Sequence, residues 1–259
     1  LENIMIYYSI IPKNINHITI THADFIGIDK VTCKLIIRSI NGKVVSEMKI
    51  QKTYPFLYSK KCNFKEDIYL DISFFQNNEL IKKPGTIDIL YKTKVGRFGI
   101  GLGGLTENCN NIKKETIRST IVKNCCFISY NNNTVIYIIN PNTTQSSQTA
   151  RNGKLKYKIL DDQGRTIHEK ILTFLPSELK KIDIKNEIFK DKYFNKKPSF
   201  FTFVSENNFN VLPITFMDKN SIPTGCEHSQ PKFNYFRGHE NGPQNMKMNF
   251  FRLLNSVFK

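Results

Sequence analysis

The sequence predicts an all-β protein built as two tandem β-sandwiches with a short C-terminal helix. Three observations predict it. Apolar residues recur at every second position in runs of 5–10 residues. Those runs are rich in β-branched and aromatic residues and end in Asn, Gly and Pro, as strands and turns do. A pattern of the first half also returns in the second.

The first predicted strands are "IMIYYSII" (4–11), "HITITH" (17–22), "VTCKLIIRSI" (31–40), "KVVSEMKI" (43–50), "DIYLDIS" (67–73) and "TIDILYK" (86–92). The second half continues with "TIRSTIV" (116–122), "CCFISY" (125–130), "TVIYIIN" (134–140), "KLKYKIL" (154–160) and "TIHEKILTF" (166–174). "LKKIDI" (179–184), "SFFTFVS" (199–205) and "VLPITFM" (211–217) complete the set. Only "QNMKMNFFRLLNSVFK" (244–259) has a helical stripe: Met246, Phe250, Leu253, Leu254, Val257 and Phe258 fall at spacings of three and four. The expectation is that it docks on its own sandwich.

The repeat is gapless over "CKLIIRSINGKVVSEMKI" (33–50) and "LKYKILDDQGRTIHEKIL" (155–172), 122 positions apart. Gly42 meets Gly164, Lys43 meets Arg165 and Glu47 meets Glu169. Cys33, Leu35 and Ile37 meet Leu155, Tyr157 and Ile159. Each copy reads as a β-hairpin turning at its glycine. Each is preceded by a strand ("HITITH", "TVIYIIN") and runs on to Leu70–Ile72 or Ile182–Ile184, the first copy carrying extra residues around "TYPFLYSKKC".

Two sandwiches of seven or so strands follow. In strand count and spacing they resemble immunoglobulin-like or fibronectin-III-like modules; the chain has no tryptophan for the Cys–Trp–Cys hallmark. The seam is expected within "GRFGIGLGGLTENCNNIKKE" (96–115), giving an N-terminal sandwich over 1–105. A C-terminal one over 106–259 carries a terminal loop and helix.

The chain of 259 residues carries a net charge of +16, with 38 basic residues. Such a balance attracts acidic polymers. Only seven of the basic residues are arginines, the side chain suited to bidentate phosphate and base contacts, and the lysines are scattered. Nucleic-acid binding through the basic surface therefore ranks third among the function classes. The six cysteines form no CxxC pair, and Cys33, inside an apolar strand, reads as a small buried residue. "LENIMIYYSIIP" is too short to span a bilayer and reads as a first strand, so a cytoplasmic location is the expectation. Two sequons, at Asn132 and Asn142, matter only in a secretory context.

The catalytic signatures fail on context. "GIGLGG" (99–104) precedes no amphipathic helix and no Walker lysine, so it reads as an interdomain turn or a glycine-bent edge strand. No GxSxG elbow and no HExxH helix occurs.

"CEHSQPKFNYFRGHENGP" (226–243) gathers the remaining chemistry in what reads as a polar loop. Phe233, Tyr235, Phe236 and Arg237 form a candidate recognition surface for a sugar or partner protein. His228 and His239 could instead join His22 and Asp24 in a divalent-metal site with Glu240 as general base, provided the C-terminal segment folds back on the first domain. His17 and His22 are an odd number apart and face opposite ways on one strand, so His17 stays out of that cluster.

These readings order the functions. The first is a non-catalytic binding or scaffold module without a cofactor, recognising a carbohydrate, another acidic polymer or a partner protein; sandwich folds as such do not define a ligand. The alternative is a metal-dependent hydrolase or lyase.

Overall fold

The computed structural model describes residues 5–22, 30–53, 55–77, 79–80, 86–103, 105–106, 119–128, 133–140, 152–161, 163–188, 199–206 and 212–228. In chain order the strands of the first half are β1 (Met5–Ile11), β2 (His17–His22), β3 (Lys30–Ser39), β4 (Val44–Thr53) and β5 (Phe56–Lys61). β6 (Ile68–Gln76), β7 (Glu79–Leu80), β8 (Thr86–Lys92), β9 (Arg97–Gly103) and β10 (Leu105–Thr106) follow. The second half has β11 (Ser119–Ile128), β12 (Asn133–Ile139), β13 (Gly153–Leu160), β14 (Thr166–Phe174) and β15 (Leu179–Asp183). The short helix α1 (Ile184–Ile188) leads to β16 (Ser199–Glu206), β17 (Leu212–Lys219) and β18 (Ile222–His228).

The period-two patterns become real alternation. Along β8 every residue switches between exposed and buried, and β2 alternates likewise, with Ile18, Ile20 and His22 inward.

Among the described residues the strands form four antiparallel sheets. The first half holds sheet I, ordered β10-β1-β6-β3-β4 with β7 beside β6, and sheet II, ordered β5-β2-β8-β9. The second holds sheet III, ordered β11-β16-β13-β14, and sheet IV, ordered β15-β12-β17-β18. With the two-residue strands β7 and β10 set aside, the two halves have the same strand order. β1-β6-β3-β4 matches β11-β16-β13-β14, and β5-β2-β8-β9 matches β15-β12-β17-β18.

The hairpins β3–β4 and β13–β14 repeat in detail. Gly42 has φ +80° and Gly164 φ +78°, a region open to glycine at no steric cost. Gly42 N donates to Ser39 O (2.9 Å) and Ser39 N to Lys43 O (3.0 Å); Gly164 N donates to Asp161 O (3.0 Å) and Asp161 N to Arg165 O (2.9 Å). Register slips at Ile37/Arg38 and at Ile159/Leu160, the same place in both copies, as a glycine bulge requires. The diagonal ion pair Lys34–Glu47 (3.0 Å) recurs as Lys156–Glu169 (2.5 Å).

Beyond the hairpin the structure corrects the sequence alignment. The strand holding Leu70–Ile72, β6, lies in sheet I beside β3, whereas Ile182 and Asp183 lie on β15 in sheet IV beside β12. By position β15 matches β5, the strand inside the supposed insertion, and β6 matches β16. "LDI" and "IDI" are alike because both need buried aliphatics at alternate positions, a demand made by any strand with one face on the core.

Other differences are local. β11 runs through a bulge as one strand rather than two, and Cys226–His228 end β18 rather than begin a loop, while β9 takes up the glycine tract as an edge strand, the second of its two expected forms. The C-terminal helix expected over 244–259 lies outside the described residues, as do Asn132 and Asn142 of the two sequons.

Among the described residues two apolar clusters form the interior. One lies within the second half, where Ile136 and Ile138 meet Leu155, Tyr157 and Ile159. The larger fills the first half between sheets I and II and takes in Val135, Tyr137, Ile139, Leu179, Ile214 and Phe216 from sheet IV. β12 is thus buried on both faces, which is why its sequence "TVIYII" runs apolar without alternation.

Polar contacts tie the same junction. Leu179 N donates to Ile40 O (2.8 Å) and Tyr69 Oη to Ser177 O (2.6 Å). Lys181 pairs with Asp67 (2.8 Å), and Asn14 Nδ2 donates to Ser221 O.

Candidate functional site

Of the residues singled out in the sequence, Phe233, Tyr235, Phe236, Arg237, Asp24, His239 and Glu240 lie outside the described residues. His228 ends β18 opposite Ile214. His22 ends β2 and is only 1% exposed. Its ring meets Phe74 edge-on at 5.0 Å and Tyr7 at 6.2 Å, so it is a packed core residue between sheets I and II. His17 faces the other way, as expected. Among the described residues no three His, Cys, Asp or Glu side chains come together as metal ligands.

The structure brings together a different set. Sheet II presents one face to solvent, and register places Lys61 opposite His17, His17 opposite Lys92, and Lys92 opposite Arg97. All four belong to the outward parity of their strands. Lys61, Lys92 and Arg97 are exposed and His17 is half-buried. Strands in a sheet are about 4.8 Å apart, so this row crosses all four strands in about 14 Å. Among the described residues, Lys61, Lys92 and Arg97 make no ion pair.

The neighbouring rows differ in chemistry. Next to the cations come Ser59, Thr19, Leu90 and Gly99, with Thr19 Oγ1 and Ser59 Oγ hydrogen-bonded at 2.7 Å. Then come Leu57, Thr21, Asp88 and Gly101. A Cβ on Gly99 would lie 2.7 Å from Leu90 Cδ2, so the glycine lets Leu90 rest across β9 and keeps the face low. The β8–β9 turn is fixed from below: buried Thr93 donates its N to Gly96 O (2.9 Å), and Val95 N donates to Thr93 Oγ1 (3.3 Å). That turn sets Lys92 and Arg97 side by side.

A second polar concentration is internal. Arg38 Nε donates to Asp71 Oδ2 at 2.6 Å, and both residues are 7% exposed. Arg38 Nη1 also donates to Gly42 O (3.0 Å), bracing the hairpin turn. Burial pushes the Asp71 carboxyl up to about 6 against the opposing pull of Arg38. This pair braces the sheet I turn that abuts Ser177 and offers no open face.

The cationic row can bind anions and hold them in fixed register; it contains no nucleophile and no acid–base pair. Sequence reading missed it. "KTKVGR" (92–97), a tight turn flanked by basic residues, was the available signal for Lys92 and Arg97. Lys61 and His17 needed the register of β2 against β5 and β8.

No family model matches the chain, and no curated protein matches it. Solved structures that match include a glycosyl hydrolase family 2 member from Bacteroides cellulosilyticus DSM 14838. It has a TM-score of 0.16 and 10% identity, over 86% of this chain and 28% of that one. A β-glucuronidase from glycoside hydrolase family 2 matches with a TM-score of 0.17 and 10% identity, over 86% of this chain and 23% of that one. The chain spans about a quarter of the length of these structures. Superpositions at this level carry neither fold nor chemistry across.

Proposed function

We propose that the chain is a binding or scaffold module of two tandem immunoglobulin-like β-sandwiches, without catalytic activity of its own, that takes up an acidic polymer on the outward face of sheet II. The observation that carries this reading is the row Lys61–His17–Lys92–Arg97 on the outward side of sheet II, its lysines and arginine exposed. Exposed cations that make no ion pair among the described residues attract an anionic chain at little desolvation cost, with strong dependence on salt.

The tandem-sandwich part rests on the repeated strand orders. Within each half the pairings β2–β5, β3–β6 and β3–β4 are those of strands B–E, C–F and C–C′ in immunoglobulin sandwiches. The outer strands depart from that pattern: β1 sits beside β6 and β8 beside β2. The proposed halves are 1–105 and 106–259. Phe233, Tyr235, Phe236 and Arg237 could extend the surface, but the reading does not depend on them. The metal-dependent alternative gains no support from His22, whose ring is enclosed by Tyr7 and Phe74.

Heparin, titrated calorimetrically into the full chain, tests the reading. The triple variant Lys61→Gln/Lys92→Gln/Arg97→Gln should lose affinity by about tenfold or more at low salt. A charge-matched control, Lys43→Gln/Lys49→Gln/Lys185→Gln, should lose far less. Equal losses in both would mean that only the net charge of +16 matters, and would end the proposal.

A further inference from the structure

Resting on that reading, we infer that the ligand of sheet II is a linear acidic polysaccharide lying across the strands, along the row Lys61–His17–Lys92–Arg97. Direction follows from the charge pattern. A chain laid along β8 would pass Lys92, Leu90 and then Asp88, meeting a carboxylate two steps from its first cation. A chain laid across the strands meets a basic side chain on every strand, spaced by the sheet itself at about 4.8 Å. Asp88 and the low glycine positions of β9 bound the track on one side and keep anionic groups on the row.

The chemical class follows from what flanks the row. Ser59 and Thr19 offer hydroxyls beside the cations, suited to the neutral hydroxyls of a sugar ring, while Lys61 and Lys92 are point charges suited to carboxylate or sulfate groups. Single-stranded nucleic acid is held by aromatic side chains that stack with bases. The outward positions of sheet II's three complete rows hold Leu57, Leu90, hydroxyls, glycines, Asp88 and the basic row, with no Phe, Tyr or Trp; the half-buried His17 imidazole is their one ring. The single arginine of the row, Arg97, gives little scope for bidentate base or phosphate recognition.

The test uses the full chain with size-defined heparin oligosaccharides and a single-stranded oligonucleotide of matched charge. Affinity should climb with oligosaccharide length until the ligand spans the row of about 14 Å, and gain little beyond it. Lys61→Gln and Arg97→Gln, on strands at opposite edges of the sheet, should each weaken a row-length ligand about three- to tenfold. Asp88→Asn should change that affinity less than twofold, and the oligonucleotide should bind more weakly than the oligosaccharide. The inference is overturned if Asp88→Asn strengthens binding as much as Lys61→Gln weakens it, because the ligand then runs along the strands. It is also overturned if the oligonucleotide binds more tightly. If wild-type protein binds neither polymer, the underlying reading fails instead, so the two failures are separate results.

Discussion

Gly42 and Ser177 touch so closely that a Cβ on the glycine would lie 2.6 Å from the Ser177 carbonyl oxygen, although 122-residue symmetry leaves Gly164 facing open space. The same turn therefore does two jobs. In the second half it only reverses the chain; in the first it also seats the β14–β15 connection.

A paired substitution separates those jobs. Gly164→Ala places a side chain at φ +78° and should cost about 1 kcal/mol, the penalty of the left-handed region. Gly42→Ala carries the same penalty plus the collision with Ser177, and should lower stability by at least about 2 kcal/mol more. Urea denaturation of both variants measures the difference, and equal losses would mean that the contact contributes nothing.

Stability should rise as the solution is made mildly acidic. Burial raises the Asp71 carboxyl from 3.8 to about 6, so the folded state binds its proton more tightly than the unfolded chain does. The stabilising contribution of protonation is complete below 3.8 and lost as pH rises through about 6. Asp218, also raised to about 6 by burial and by Asp183 and Asp67 against Lys181, acts in the same direction. The urea midpoint should therefore be higher at pH 5 than at pH 7.5. Asp71→Asn should remove much of that increment, and an unchanged pH dependence in the variant would refute the assignment.

Removing one partner of the buried pair should be costly. Arg38→Met strands the Asp71 carboxylate inside sheet I and frees the Gly42 carbonyl, for a loss of about 3–5 kcal/mol at pH 7.5. Because protonation neutralises the stranded group, the loss should shrink at pH 5. Denaturation of the variant at both values reads this directly.

The shared core predicts joint unfolding. Phe216 packs against Tyr91 of the first half at 5.7 Å and Tyr137 of the second at 5.6 Å. Phe216→Ala should cost about 3–5 kcal/mol. Calorimetry of the wild type should show one transition, because the first half completes its apolar cluster only with residues of sheet IV; two well-separated transitions would contradict that shared cluster.

The Cys33 and Cys62 thiols should be unreactive in the folded state. Burial pushes Cys33 up to about 12 and Cys62 up to about 11, and both are free thiols. Neither should react with a thiol reagent near neutral pH until denaturant is added, which mass spectrometry of the labelled peptides checks.

Much of the fold was legible in particular residues. Alternation in "HITITH" and "TIDILYK" gave strands at their observed bounds, and Gly42 and Gly164 marked equivalent turns. β5 was overlooked because Leu57, Ser59 and Lys61 face solvent on an edge strand, so its apolar signal is halved. β9 was ambiguous because its outward positions Gly99 and Gly101 are glycines, which mark a turn as readily as a flat edge. His22 drew attention as a ligand, yet its ring turned out to be packed between Tyr7 and Phe74.

By itself the sequence determined local matters: which residues extend, which face of each strand is apolar, and where the chain turns. These depend on neighbours two to four positions away, and the chain order states them directly. Only tertiary structure decided that β15 takes the place of β5, that the two halves share one apolar cluster, and that Lys61, His17, Lys92 and Arg97 fall in one line. Those facts rest on register between strands far apart in the chain, and shifting a strand by one residue would turn each of these side chains to the opposite face.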